Sequence, residues 1–349
     1  MRPFVDLICV ALTVASLARP SVAKKTKAAP GVFEALENAG ASQFGVLVRE
    51  TPELLDLLIA GEIGHLFAPS DSTTSHSLKP RHAERRATNT SSQSPTLQAV
   101  LTNSFQALED IQSGSSKARA VKRSVAHSDT SSSNFGFVVE TAQDANLNDN
   151  SGQNLVVQPW QDSTPDKSTS EDGDLAIIAK VYSGLGNIVE VLKGTFKFAR
   201  CANKTGTIFV TKDYFTVPER LCSTAVKLNL TTFISLVKCS GLSEVLDTKP
   251  SITVFIPSNQ AYEDAGVLHP DHAFSRETAE KVKALVVPNY LGYTPNLMDG
   301  QTLTSMNGTK IEILIEDGEI LVNGGRIIKR DIILENGVAH VIDKAFSCL

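Results

Sequence analysis

The last third of the chain alternates apolar and polar residues in short runs, and this pattern predicts β-strands. Four such runs follow one another: Lys310–Glu316, Glu319–Val322, Ile327–Ile333 and Val338–Phe346. Asp317-Gly318 and Asn323-Gly324 separate the first three runs, and both pairs favour the left-handed backbone of tight hairpin turns. We therefore expect a twisted antiparallel sheet here.

Helices are predicted before these strands. Thr231 or Thr232 can cap a helix that ends at Gly241. A short apolar strand, Thr253–Ile256, comes next, and a second helix is predicted over Ser275–Leu285. Helices followed by an antiparallel sheet are typical of the α+β class, which we take as the fold class.

The first residues have the order of a secretory signal peptide. Arg2 precedes an apolar run, Leu7–Leu17, and Ser21-Val22-Ala23 then offers a cleavage site, so residues 1–23 are the predicted signal. Cleavage after Ala18 and a buried N-terminal helix are the alternatives. No later run reaches about 18 apolar residues, so we expect no transmembrane segment.

A stretch rich in Ser, Thr and basic residues, from Ser70 to Asn134, interrupts the first half of the chain. We expect Ser72–Thr96 and Gly114–Asn134 to be mobile, because such a composition buries too little apolar surface to offset the entropy of ordering. Apolar residues at helical spacing predict one amphipathic helix between them, over Leu97–Gln112. Dibasic pairs in the stretch are either processing sites or solvated charge.

Four short markers recur in the same order in both halves, which predicts an internal repeat. The pairs are Phe67-Ala-Pro-Ser-Asp71 with Phe255-Ile-Pro-Ser-Asn259, Val138-Val139 with Val286-Val287, Gly152-Gln153-x-Leu155 with Gly300-Gln301-x-Leu303, and Gly206-x-x-x-Val210 with Gly337-x-x-x-Val341. The distance between paired markers falls along the chain, so the first copy carries extra residues. The larger excess coincides with the Ser-rich stretch.

Two segments of the second copy resemble the signatures of the fasciclin (FAS1) domain family. Thr253–Tyr262 (TVFIPSNQAY) is similar to the first signature and Asn336–Phe346 (NGVAHVIDKAF) to the second. The layout resembles a fungal-type secreted protein with two such domains. We assign residues 219–349 to a complete domain and residues 31–218 to a degenerate one, interrupted at about 72–134.

The resemblance implies a wedge-shaped sheet flanked by helices, and non-enzymatic work in cell adhesion or in matrix or cell-wall association. The family's Asp-Ile adhesion element matches Asp331-Ile332, which makes these two residues the candidate binding site. An exposed carboxylate at a strand end is the alternative for Asp331. The family's Tyr-His pair is absent, because Ala284-Leu285 stand in its place. On a structural reading, the two signatures specify the fold.

Composition and charge narrow the function little further. The 349 residues are 42% hydrophobic and 20% charged, which is ordinary for a globular chain long enough for two domains. With 33 basic and 38 acidic residues the formal net charge is −5, so a generally basic surface for nucleic acid is excluded.

Cysteines and sequons fit an exported protein. Four cysteines remain after the signal peptide, Cys201, Cys222, Cys239 and Cys348, and they predict two disulfides, with free buried thiols as the alternative. If the second copy closes on itself, the simplest pairing is Cys201–Cys222 and Cys239–Cys348, although three connectivities are open. N-glycosylation sequons begin at Asn89, Asn203, Asn229 and Asn307.

The sequence contains none of the common motifs of nucleophilic, phosphate-binding or metal-dependent catalysis. His269 and His272 lie close to carboxylates and could hold zinc or copper, but Pro270 separates them in what reads as a surface loop. We therefore expect no enzyme activity, no metal and no cofactor. His340 reads as a packed strand residue.

Three functions remain in order of preference. The first is a secreted, glycosylated protein for cell adhesion or cell-wall association, whose partner is a cell-surface or wall glycan or protein. The second is a soluble carrier of a small apolar or glycan ligand held between the domains, and the third is a wall-polymer hydrolase. The secretory route also leaves a vacuolar destination open.

Overall fold

The computed structural model describes residues 30–50, 65–73, 100–102, 135–147, 152–159, 177–192, 196–199, 205–267 and 275–346. These residues form two β-sheets with helices beside them, which confirms the α+β class. The predicted signal peptide, most of the Ser-rich stretch and the segment containing His269 and His272 lie outside the described residues.

The first sheet is built from strands that are far apart in sequence. Its elements are α1 (Pro30–Asn38), α2 (Ser42–Glu50), β1 (His65–Pro69), β2 (Val100–Thr102), β3 (Phe137–Asp144), β4 (Gly152–Pro159), β5 (Ile177–Tyr182), β6 (Ile188–Leu192), β7 (Phe196–Ala199) and β8 (Thr205–Thr211). The strand order is β2-β1-β8-β6-β5-β4-β3, and β7 pairs with β8 outside that path. Strands β1 and β8 are parallel.

The second sheet follows in the C-terminal part. Its elements are α3 (Leu221–Lys227), α4 (Thr231–Ser240), α5 (Ser243–Thr248), β9 (Ile252–Pro257), α6 (Asn259–Asp264), α7 (Arg276–Ala284), β10 (Val286–Val287), β11 (Thr302–Thr304), β12 (Lys310–Glu316), β13 (Glu319–Val322), β14 (Gly325–Leu334) and β15 (Gly337–Ile342), with a 3₁₀ turn at Thr294–Asn296. The strand order is β10-β9-β15-β14-β13-β12-β11, and β9 and β15 are parallel.

The two sheets have the same strand order, with a parallel pair next to a short edge strand in each. Phe67 lies in β1 and Phe255 in the equivalent β9, and Gly206 and Gly337 begin the markers on the equivalent strands β8 and β15. This topology agrees with the repeat. The domain bounds 31–218 and 219–349 remain a prediction.

Two of the four markers do not align. Val138-Val139 lies in β3, whereas Val286-Val287 forms β10, whose counterpart in the first sheet is β2. The Gly152 marker lies in β4 and the Gly300 marker at β11, again on strands that are not equivalent. These short matches share residue types without sharing a place in the sheet, so pairing them was wrong.

The predicted helix over Leu97–Gln112 is also wrong in part. Val100–Thr102 forms β2, which pairs antiparallel with His65–Phe67 of β1. Helical spacing of apolar residues did not anticipate this, because the hydrogen bonds that an open sheet edge offers are invisible to a local pattern.

Local chemistry explains the ends of the elements around the second sheet. Ser258 Oγ accepts a hydrogen bond from Ala261 N–H at 3.1 Å, so it caps α6. Gly241 ends α4 with a left-handed φ of 67°, as predicted. No threonine side chain caps the start of α4; instead Asn259 Oδ1 accepts from Thr232 N–H at 3.2 Å.

The core lies on both sides of β9 and β15. All six residues of each strand are buried, as expected for central parallel strands that are covered on both faces. One apolar cluster packs helices α3 to α7 against the second sheet. Another includes Val338 and Ile333 of this sheet together with Phe67 and Phe209 of the first, so the two sheets share buried surface.

Candidate functional site

Asp331 is fully buried in β14, at a point where the strand leaves regular pairing with β15. Its backbone has a positive φ of 51°, which is strained for a residue other than glycine. Thr294 compensates for the buried carboxylate: its N–H donates to Asp331 Oδ1 at 2.8 Å and its hydroxyl donates to Oδ2. The local bulge thus turns the carboxylate into the protein instead of toward water.

His340 lies beside Asp331 and is also fully buried. Its Nδ1 accepts from the Asp331 backbone N–H at 3.2 Å, so Nε2 carries the proton and donates to the Gly292 carbonyl at 2.8 Å. Burial lowers the pKa of His340, and the Asp331 charge and the Gly292 bond only partly oppose that shift. The imidazole is therefore neutral near pH 7.

A buried hydrogen-bond network formed by Asp331, His340 and Thr294 links the 3₁₀ turn to strands β14 and β15. Each group finds its partner inside the protein, and none is open to a substrate. The arrangement stabilises the loop that carries Gly292 and Thr294. It offers neither a nucleophile nor an acid–base pair with access to solvent.

Both residues of the candidate binding site predicted from the sequence are therefore buried, because Ile332 is fully buried like Asp331. Reading Asp331 as an exposed strand-end carboxylate is wrong, since the bulge directs it inward. A contact between Asp331-Ile332 and a partner stays a prediction, and it would require this part of β14 to open.

The region of the missing Tyr-His pair is packed too. Ala284 and Leu285 are buried where α7 meets β10. Tyr290 is partly buried, and its hydroxyl donates to the Asn296 carbonyl at 3.1 Å. Burial raises the pKa of Tyr290, and Tyr293 is buried nearby.

Two of the four sequons lie in the described residues. Asn229 is exposed, at a left-handed turn with φ of 56° after α3. Asn307 is partly buried, and its Nδ2 donates to the Glu280 carbonyl at 3.0 Å. Asn89 and Asn203 lie outside the described residues. Glycosylation at all four stays a prediction, and Asn229 offers the most accessible amide of the two described.

The cysteine pairings stay predictions as well, because Cys201 and Cys348 lie outside the described residues. Cys222 and Cys239 are not bonded to each other. Burial and the neighbouring Asp247 carboxylate raise the pKa of the Cys222 thiol to about 12, so this thiol is a poor nucleophile at neutral pH.

Within the described part of the chain, no group of three or more His, Cys, Asp or Glu side chains is placed to hold a metal ion. The helices of this same part are too short or too polar to cross a membrane.

The hydrogen bonds that join the two sheets could not be predicted from the sequence. Arg330 of β14 crosses the junction, where it donates from Nε to the Tyr182 hydroxyl at 3.0 Å and from its terminal nitrogen to Gln158 Oε1. Gln153 Nε2 donates to the Leu334 carbonyl at 3.1 Å across the same junction. These contacts join residues that lie more than 140 positions apart, which no local pattern reports.

Comparison with known proteins finds similarity to one domain family in the C-terminal part of the chain. Residues 228–347 match the fasciclin domain family. "Fasciclin-like arabinogalactan protein CTB11" of Cercospora beticola is 31% identical over 171 residues, which cover 47% of this chain and 43% of that protein. "Fasciclin-like arabinogalactan protein elcF" of Phaeosphaeria nodorum is 33% identical over 129 residues, 37% of this chain and 40% of that protein. The chain spans less than half the length of both relatives.

One solved structure is a FAS1 domain pair from the insect cell adhesion molecule fasciclin I. It covers 89% of this chain and 97% of its own, at 13% identity and a TM-score of 0.37. At that score the likeness supports no inference about this chain.

Proposed function

Because residues 228–347 belong to the fasciclin domain family, we propose that this protein is a secreted glycoprotein that works by adhesion, or by association with a matrix or cell wall, and not by catalysis. The family match is the observation that carries the proposal. Its partner is a cell-surface or wall glycan or protein, and its destination is the extracellular space, with the vacuole as the alternative.

The burial of the signature residues supports a binding role for the surface. His340 of the second signature and Asp331 of the Asp-Ile element use their polar atoms to hold backbone and Thr294 in place. Groups fixed in this way are not available to a reacting substrate. Recognition then falls to exposed side chains and to glycans, for which Asn229 is the most accessible described acceptor.

An attachment assay tests this function. The chain from Lys24 onward, secreted by a eukaryotic host, is coated on plates and offered to intact cells and to labelled chitin, β-glucan and mannan. We expect saturable binding to at least one of these above an albumin-coated control. A folded chain that binds none of them would contradict the proposal.

The same samples address the hydrolase alternative. Incubation of the folded chain with each polysaccharide is followed by an assay for new reducing ends. We expect no release above a heat-unfolded sample, because the buried Asp331 and His340 have no access to a substrate. Steady release of reducing ends would contradict the non-enzymatic assignment.

A further inference from the structure

A cleft of about 310 Å³ lies at the junction of the two sheets. One wall comes from the first sheet, at the end of β5 and the turn into β6. The other wall comes from the hairpin between β12 and β13 and from residues 327–330 of β14. The volume is at the lower end of the range of small-molecule sites, so the cleft admits a small ligand and not a folded domain.

Both walls expose aliphatic side chains to solvent. Ile188 of the first sheet is 47% exposed and Ile328 of the second is 52% exposed, although both are large and apolar. The buried Phe135 and Ile320 and the partly buried Ile327 line the same cleft. Two exposed isoleucines that line one cleft from opposite sheets leave apolar surface that a ligand can cover.

The cleft also carries positive charge without a carboxylate partner. Among the described residues, neither Lys329 nor Arg330 pairs with an Asp or Glu side chain, whereas Glu319, on the same wall, is bound by Arg326 at 3.2 Å. The Lys329 stem packs closely on Gly186: a Cβ built on Gly186 would lie 3.0 Å from Lys329 Cε. Partial burial lowers the pKa of Lys329, because the charged ammonium group loses part of its hydration.

We propose that this cleft binds a small molecule that joins an apolar body to a carboxylate or another single anionic group. The isoleucines cover the apolar body, and Lys329 and Arg330 receive the anion. An anion at Lys329 offsets the partial loss of hydration of that ammonium group, which gives the site selectivity for an anionic over a neutral ligand of the same shape. The inference goes beyond adhesion, since it concerns a cleft for a small molecule and not an attachment surface.

Octanoate and 1-octanol are a matched pair of probes, equal in chain length and different in charge. Isothermal titration calorimetry of the full secreted chain measures both dissociation constants. We expect octanoate to bind at least about tenfold more tightly than 1-octanol, because only octanoate has a charge to place at Lys329. Equal affinities, or no binding of octanoate, would overturn the proposal.

Three variants locate the site. Lys329→Met keeps the length of the side-chain stem and removes the charge. The affinity for octanoate should therefore fall about tenfold, while the affinity for 1-octanol is unchanged. Ile188→Ser, at an exposed position of β6, should weaken the binding of both probes and keep the ratio of their dissociation constants. Lys310→Met removes a lysine of β12 that does not line the cleft and should change neither. A Lys329→Met variant that binds octanoate as the unmodified chain does would place the anion elsewhere and overturn the assignment.

Discussion

His340 and Phe209 occupy equivalent positions in the two sheets, yet they bring different chemistry. Phe209 is opposite Phe67 in the parallel pair of the first sheet, and their rings stack with centroids 5.2 Å apart. His340 is opposite Phe255 in the second sheet, and these rings stack at 5.7 Å. The histidine therefore keeps the packing of an aromatic ring and adds two hydrogen bonds to backbone groups.

The buried imidazole makes stability depend on pH. The folded pKa of His340 is lowered, so the stabilisation is complete above the unfolded value of about 6.5 and is lost as pH falls from there toward the folded pKa. Asp331 and Arg330 are the charged groups that act on the ring. We expect the free energy of unfolding to fall below pH 6.5, by at most about 1.4 kcal/mol per pH unit from this residue.

The variant His340→Phe separates the contribution of His340 to the pH dependence of the free energy of unfolding from the contributions of the other histidines. The variant copies the aromatic pair of the first sheet but leaves the Gly292 carbonyl and the Asp331 N–H without partners, at a cost of about 2–4 kcal/mol at pH 8. Urea titrations from pH 8 to 5 should show a shallower decline than in the unmodified chain. Parallel declines would mean that His340 does not set the dependence.

The inward direction of Asp331 could not be read from the sequence. Alternation along β14 assumes an unbroken strand, and the irregular pairing between Lys329 and Ile332 changes which face each residue takes. The burial of His340 was predictable, because it sits in an apolar strand within a signature. Its two hydrogen bonds were not, because one partner, Gly292, is 48 positions away.

At the level of elements, hairpins were the easiest to predict. The strands Lys310–Glu316 and Glu319–Val322 have the predicted bounds, and Asp317 and Gly318 both adopt positive φ between them. Both signals for a hairpin, the turn residues and the alternation of apolar and polar positions, lie here within one short segment. Strand β2 could not be predicted in this way, because it lies within the Ser-rich stretch and pairs with β1, which precedes that stretch.

Gly337 and Gly318 of the second sheet meet different structural requirements, one for space and one for backbone conformation. A Cβ built on Gly337 would lie 2.0 Å from the Ile252 carbonyl oxygen of the neighbouring strand, whereas one built on Gly318 meets nothing within 4 Å. Gly337→Ala should therefore destabilise the protein by more than about 3 kcal/mol, because β9 and β15 cannot keep their register. Gly318→Ala should cost about 1 kcal/mol, through its φ of 80° alone.

Urea unfolding of the two variants checks this difference. Both change glycine to alanine, so the loss of chain flexibility is common to them and cancels in the comparison. Equal midpoints for the two variants would show that the close approach of β9 to Gly337 is not what the sheet requires.

On the scale of the whole molecule, the sheets are joined by buried and polar contacts. Short parallel bridges link Gly184 to Ile333 and Glu219 to Leu334, and the Asn146 side chain donates to the Thr248 carbonyl at 2.8 Å. With a shared apolar cluster in addition, the halves have the contacts of one cooperative unit. The family resemblance anticipated two sheets but not the residues that connect them, because those contacts are specific to this pair of surfaces.

We expect a single calorimetric unfolding transition, with the calorimetric enthalpy equal to the van't Hoff enthalpy. Arg330→Ala should lower the free energy of unfolding by about 2–3 kcal/mol, since it removes charged hydrogen bonds to Tyr182 and Gln158. Arg326→Ala, which removes exposed ion pairs with Glu319 and Asp343, should cost less than about 1 kcal/mol. Two separate transitions in the unmodified chain would show that the junction does not couple the sheets.

Asp331→Asn tests most directly whether the signature region holds the fold while the surface carries the binding. The variant keeps the size of the side chain but removes the charge that Thr294 satisfies, so the free energy of unfolding should fall by about 2 kcal/mol. Attachment to cells and wall polysaccharides, measured per folded molecule, should be unchanged. Asp317→Asn, at an exposed turn, should alter neither quantity. Full stability combined with lost attachment in Asp331→Asn would contradict the account and make Asp331 a contact for the partner.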